Sequence, residues 1–166
     1  MKVQDIIGRL GLQPHPEGGY FKEIYRADES VVADNLPDRY SGARSMSTSI
    51  FYLLTADTFS TMHRVKSDEM FHFYLGDPVE QLHLRQDGSS QVIHLGQNLM
   101  GDERLQSLVR RGVWQGARLI DGGKYALLGA TVAPGFDFAD YEEGTKEALC
   151  SQYPDMTAMI CKLTRR

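Results

Sequence analysis

From residue 45 to 135 the chain is cut by turn-forming residues into runs too short for stable helices. The breaks fall at Gly76-Asp77-Pro78, Asp87-Gly88, Asp121-Gly122-Gly123 and Pro134-Gly135. Asp-Gly between apolar runs is a hairpin signal, because turns that match strand twist need residues tolerant of positive φ. The intervening runs are rich in Thr, Val, Ile, Phe and Tyr, which suit a pleated, half-buried surface. They predict strands over 47–54, 58–63, 69–75, 79–85, 91–95, 106–109, 112–120 and 125–132, with an earlier strand over 20–25 and a last one over 157–163. Val3, Ile6, Ile7 and Leu10 share one helical stripe that Gly11 ends, and residues 145–153 predict a second short helix before Pro154. Residues 27–43, polar and interrupted by Pro37 and Gly42, predict a surface excursion. Many short strands with little helix describe an all-β sandwich or barrel.

Nothing divides the chain: no repeat or linker interrupts it, and 166 residues at 42% hydrophobic content suit one domain over 1–166. Apolar runs such as 51–54 and 125–128 fall far short of the roughly 20 residues needed to cross a bilayer. Met1-Lys2-Val3-Gln4-Asp5 sets polar side chains where a signal peptide is apolar. The expectation is a cytoplasmic protein with no membrane partner. Formal net charge is −4, and Arg110-Arg111 and Arg165-Arg166 are isolated basic pairs, so a nucleic-acid partner is not expected. Cys150 and Cys161 lack C-x-x-C spacing and read as reduced thiols.

The chemistry concentrates in residues 61–78. A histidine, His63, ends one strand, and Glu69 opens the next after a short turn. Alternation puts Glu69, Phe71, Phe73 and Leu75 on one face and turns His72 away, unless a bulge intervenes. A carboxylate heading an aromatic row inside a barrel needs a partner, and His63 is the natural one. The shaped loop His15-Pro16-Glu17-Gly18-Gly19 offers His15 and Glu17 as pocket-lip residues. Trp114, beside Gln115, could stack on a ligand ring; Asp137 could close the mouth or satisfy a turn; Arg26 and Arg118 could fork onto an anion. His83 and His94 read as structural. With no Gly-x-Ser-x-Gly elbow, nucleophilic hydrolysis is not expected.

This stretch resembles the first sequence motif of the cupin superfamily, His-x-His, then three or four residues, Glu, six residues and Gly. His63, Glu69 and Gly76 match it, with Val65 at the second histidine's position. Arg110-Arg111-Gly112-Val113-Trp114-Gln115 is similar to the second motif, Pro-x-Gly-x-x-His, with Gln115 in place of its histidine. Together with His15-Pro16-Glu17-Gly18-Gly19-Tyr20-Phe21, His72-Phe73-Tyr74-Leu75-Gly76-Asp77-Pro78 and Val132-Ala133-Pro134-Gly135-Phe136-Asp137-Phe138, the chain resembles the Cupin-5 family, a domain family of unknown function. The resemblance implies a double-stranded β-helix, the jelly-roll barrel, with short N- and C-terminal helices. It also implies a homodimer and kinship with sugar epimerases and isomerases.

Two of the four usual metal ligands are replaced, so neither a metal nor another cofactor is expected. By analogy with the epimerases, His63 with Glu69 or Asp68 would form the base pair, and Tyr20, Tyr52, Tyr74 or Tyr141 would supply the acid. His72, Gln115, Trp114, Tyr52, His15, Glu17 and Asp137 are the candidate ligand-binding residues. The expected function is metal-independent acid/base chemistry on a small polar metabolite such as a carbohydrate or sugar nucleotide. The alternatives are a non-catalytic binding module and a metal-dependent cupin using His63 and Glu69 with Gln115 or His72.

Overall fold

The computed structural model describes residues 2–165; Met1 and Arg166, and with them the first residue of the signal-peptide reading and the last of the C-terminal arginine pair, lie outside the described residues. Helix α1 (Val3–Leu10) leads into β1 (Gln13–Pro14) and β2 (Tyr20–Arg26), and β3 (Ser30–Val31) pairs with β4 (Arg44–Ser45) across the polar excursion. Then come β5 (Thr48–Thr55), β6 (Phe59–Arg64), β7 (Asp68–Gly76), β8 (Val79–Leu84), β9 (Ser90–Leu95), β10 (Glu103–Arg104), β11 (Gln106–Val109), β12 (Trp114–Leu119) and β13 (Tyr125–Ala133). A 3-10 turn at Phe138–Asp140, β14 (Glu142–Glu143), α2 (Lys146–Gln152) and α3 (Thr157–Lys162) follow. No helix among the described residues is long and apolar enough to cross a membrane.

The strands form two six-stranded sheets, ordered β1-β2-β5-β13-β7-β11 and β10-β9-β8-β12-β6-β14. This is the jelly-roll arrangement that the short, hairpin-linked strands foretell. Inward rows run along each strand from a solid end to a hollow one. Leu54, Phe73, Ala126 and Leu128 pack the solid end with Val79 and Leu119. Further along the same strands, Ile50, Glu69, Ala130 and Val132 line open space instead.

Helices clad the outer faces. Ile6 of α1 packs with Leu12, Leu53 and Leu127 on the first sheet, and Gly11 ends α1 at φ 64°. The segment 157–163, expected as a strand, is instead helix α3. The outer face of the second sheet presents Met62, Leu82, Leu84 and Trp114, and this apolar surface must be covered. Ile160 and Leu163, one helical turn apart, cover it together with Leu149 of α2.

A second expectation is also corrected. Leu75 does not share the face of Glu69, Phe71 and Phe73. The β7–β13 register steps from Phe73↔Leu128 to Leu75↔Leu127, leaving Tyr74 as the extra residue of a bulge. Leu75 thereby turns outward onto the α1 cluster. The bulge lies beyond His72, which keeps its outward orientation.

Candidate functional site

The hollow end of the barrel is a cavity of about 310 Å3, at the small end of ligand-pocket sizes. Its polar floor is His15, Glu17, His63 and Glu69; its walls include Phe21, Ile50, Ala130, Val132, Phe136 and Phe138.

His63 reaches the interior through an irregularity. The β6–β12 register pairs Gln115 with His63 but Ala117 with Ser60, so β6 carries an extra residue and both Ser60 and His63 point inward. The Nδ1–H of His63 donates to the Thr61 carbonyl at 2.7 Å, which leaves Nε2 facing the cavity. Nε2 lies 3.3 Å from Glu17 Oε2. The loop carrying Glu17 is stitched to β6, since Thr61 N donates to the Glu17 carbonyl at 2.9 Å. Ser60 Oγ donates to Glu17 Oε1 at 3.2 Å.

Gly18 and Gly19 make this close approach possible at φ 109° and 70°. A Cβ at Gly18 would overlap the Phe59 carbonyl. His15 accepts the Glu17 backbone N–H at Nδ1, 3.1 Å away, so its own proton sits on Nε2. Its ring meets Phe21 edge-on at 4.4 Å.

Glu69 enters from the opposite sheet. Its Oε2 accepts from Gln115 Nε2 at 2.7 Å. Gln115 Oε1 accepts from Gln81 Nε2 at 3.5 Å, and Gln81 Oε1 lies 3.0 Å from His83 Nε2. Read from His83, every link donates toward the carboxylate, and this polarity fixes both amide orientations. Burial, with Arg85 nearby, pushes His83 down to about 4, so its ring is neutral at ordinary pH.

Desolvation dominates the site's electrostatics. Burial, reinforced by the Glu17 charge, pushes Glu69 up to about 7, against the pull of His63 and Gln115. Burial likewise raises Glu17, and it lowers His63 although Glu69 opposes the shift. His15 is lowered for the same reason. Two buried carboxyls and a pinned imidazole therefore share few protons, the kind of environment that tunes groups for proton transfer.

The family model described as Cupin superfamily (DUF985) matches residues 4–143. The chain belongs to this family. The DUF985 cupin is 28% identical over 147 residues to the uncharacterized protein YML079W of Saccharomyces cerevisiae, covering 84% of this chain and 73% of that protein. Among solved structures, protein SO0799 from Shewanella oneidensis superposes with a TM-score of 0.87 at 32% identity over 99% of this chain and 98% of that one. A hypothetical protein from Leishmania major gives 0.89 at 29% identity, covering both chains fully (100% each). Bacillus subtilis oxalate decarboxylase, at 15% identity and a TM-score of 0.53, shares the fold over 92% of this chain and 38% of its own.

Many cupins bind a metal, and the donor set of this cupin does not fit one. At the four motif positions stand His63, Val65, Glu69 and Gln115. Val65 offers no donor atom, Gln115 turns its amide nitrogen to Glu69, and His63 Nε2 faces Glu17. No arrangement of three or more His, Cys, Asp or Glu side chains suited to a metal occurs among the described residues.

The structure brings His63, Glu69, Gln115, His15 and Glu17 together, with Asp137 at the mouth. Asp137 Oδ1 accepts from Ala139 N at 2.8 Å and caps the 3-10 turn. Tyr52 lies behind the Glu17 loop, donating to the Gly18 carbonyl at 2.8 Å. Trp114 and His72 are elsewhere. Trp114 faces outward under α2, with the Arg64 guanidinium 4.4 Å over its ring. His72 sits on the outer face beside Thr131 and Gln106.

Of the four tyrosines weighed as acids, Tyr141 alone contacts His63, stacking on it at 5.3 Å. Burial and the nearby carboxyls push its hydroxyl well up, so it stays protonated. Asp68 binds Arg110 and the Arg111 N–H away from His63. Arg26 lines the mouth, paired to Glu23 at 2.8 Å, whereas Arg118 pairs with Glu80 and Asp121 at another cleft. Gln81, the support for Gln115, carries no motif of its own; only its inward alternation with His83 could have revealed it.

Proposed function

We propose that the barrel cavity binds a small polar metabolite, of carbohydrate or sugar-nucleotide type, and moves a proton on it without a metal. The observation that carries this reading is the His63 tautomer. Thr61 holds Nδ1–H, so Nε2 presents its lone pair to the cavity floor beside Glu17. Burial raises the Glu17 carboxyl and lowers the His63 imidazole, which draws the two groups' proton affinities closer together than in water. A substrate carbon acid docked on the floor takes the place of the Glu17 contact, and His63 accepts its proton. The carboxyl of Glu69, pushed up to about 7, returns one to the substrate. The apolar walls exclude water and strengthen each charge that forms.

The test is hydrogen exchange into a panel of sugars and sugar nucleotides in D2O, followed by NMR. Carbon-bound deuterium is expected with the wild type and is lost by at least about a hundredfold in His63→Ala, the usual worth of a general base.

A second reading rests on the same 3.3 Å contact, which already occupies the lone pair of His63. In that reading the cavity binds without turnover. Stabilisation against heat by a metabolite, with no exchange at carbon, selects it. Neither exchange nor stabilisation by any compound in the panel defeats both readings.

A further inference from the structure

Beside the barrel mouth, sharing Val65 with it, opens a second and larger cleft of about 940 Å3. Five cationic side chains face it, Arg39, Arg64, Lys66, Arg110 and Arg111, against the carboxyls of Asp140 and Glu142. This concentration stands out in a chain of formal net charge −4.

Two of the five cations are neutralised in place. Arg64 forks onto Glu142 at 2.8 and 3.0 Å, and Arg110 donates to Asp68 at 2.9 Å. Asp140 is committed to the buried Arg44, at 2.8 and 2.6 Å, which leaves Lys66 3.9 Å away from it. The side chains of Arg39 and Arg111 have no carboxylate partner among the described residues. Arg39 and Arg111 thus face the cleft without a carboxylate of their own, and Lys66 has only a share of Asp140, which Arg44 also holds.

The fold holds them there. Arg39 Nε donates to the Lys66 carbonyl at 2.9 Å, and its guanidinium lies 4.7 Å over the Tyr40 ring. Tyr40 is buried and bonds Ser67 Oγ at 2.9 Å. On the other side, Arg111 N donates to Asp68 Oδ1 at 2.8 Å, and Gly112 N donates to the Val65 carbonyl at 2.9 Å. Three chain segments are therefore tied around the β6–β7 turn with their cationic side chains toward one space. Gathering like charges costs free energy, and a bound anion offsets it.

We propose that this cleft is a binding site for the phosphate groups of a small, multiply charged anion, a diphosphate being the best match. Planar guanidinium forks and an ammonium suit tetrahedral oxyanions. Most of the residues that line the cleft end in charged groups, with Val65, Ala139 and Tyr141 among the exceptions, so a charged head is what their tips would meet. The site stands apart from the proton chemistry proposed above and does not depend on it.

Calorimetric titration with inorganic pyrophosphate at low ionic strength tests the proposal. Binding is expected for the wild type, weakening steeply with salt. The exposed-residue variant Arg39→Ala/Lys66→Ala/Arg111→Ala is expected to lose at least about tenfold in affinity, since charge-assisted contacts are the strong ones. The single reversal Arg111→Glu, which leaves the rest of the cleft intact, should weaken binding in the same direction. Arg9→Ala/Lys162→Ala, elsewhere on the surface, should bind as the wild type does. Glu69→Gln should also bind pyrophosphate unchanged, which separates failure here from failure of the barrel reading. Absence of binding at millimolar pyrophosphate, or equal binding by the triple variant, overturns the proposal. Citrate binding as tightly as pyrophosphate overturns the phosphate assignment. A labelled oligonucleotide that pyrophosphate cannot displace makes the occupant a nucleic acid instead.

Discussion

Glu69 brings a charge question to the bottom of an apolar barrel, and its answer is readable in stability. Burial lifts its pKa from an ordinary 4.5 to about 7, so folding favours the protonated form. That contribution is whole below pH 4.5 and is lost as pH rises through 7. Relative to Glu69→Gln, the wild type should therefore lose about 3 kcal/mol of unfolding free energy across this window, each pH unit between the unfolded and folded values being worth about 1.36 kcal/mol. Urea melts of both proteins at pH 4.5, 6 and 8 measure the gap; a constant difference refutes the buried-carboxyl account. His63 has the opposite sign, its lowered pKa contributing stability above 6.5 that is lost toward acid. At this scale the motif spacing made legible that His63 and Glu69 face one interior, which they do from opposite sheets. The partnership expected between them is replaced by Glu17 for His63 and Gln115 for Glu69. The sequence was not legible where a loop decides. Glu17 lies 46 residues before His63, and no periodicity brings the two within 3.3 Å.

The loop that does so is a single element, residues 15–19 between β1 and β2, and its glycines are its mechanism. At Gly18 the backbone runs at φ 109° against the Phe59 carbonyl. Gly18→Ala should strain that turn and lift Glu17 from His63, with a loss of about 1–3 kcal/mol for overpacking. Ligand-induced stabilisation should vanish with it, which thermal melts with and without ligand would show. Bulges explain two further departures from simple alternation. One in β6 turns Ser60 and His63 to the same side, and one in β7 sends Leu75 outward. An extra residue leaves little trace in composition, so neither is visible beforehand. Helix α3 was missed for another reason. Thr157 and Ile160 suit a strand by propensity, and the need to cover Met62, Leu82 and Leu84 overrides it.

At the scale of the molecule, short strands, hairpin turns and the motifs around Glu69 and Gln115 together made the jelly roll legible. What they could not show was how the interior divides between packing and space. That division rests on side-chain size along β13, where Leu128 fills the barrel and Ala130 leaves it open. Ala130→Leu should occupy the cavity. Its unfolding midpoint should stay within a few degrees of the wild type, while metabolite binding and any turnover disappear. Retained ligand stabilisation in this variant would move the site out of the barrel. The asymmetry has a kinetic corollary. Leu54, Val79 and Leu119 stopper one end, and the rim at Glu23, Arg26 and Asp137 frames the other. Whatever enters must depart by the doorway through which it arrived, so each occupant obstructs the next arrival.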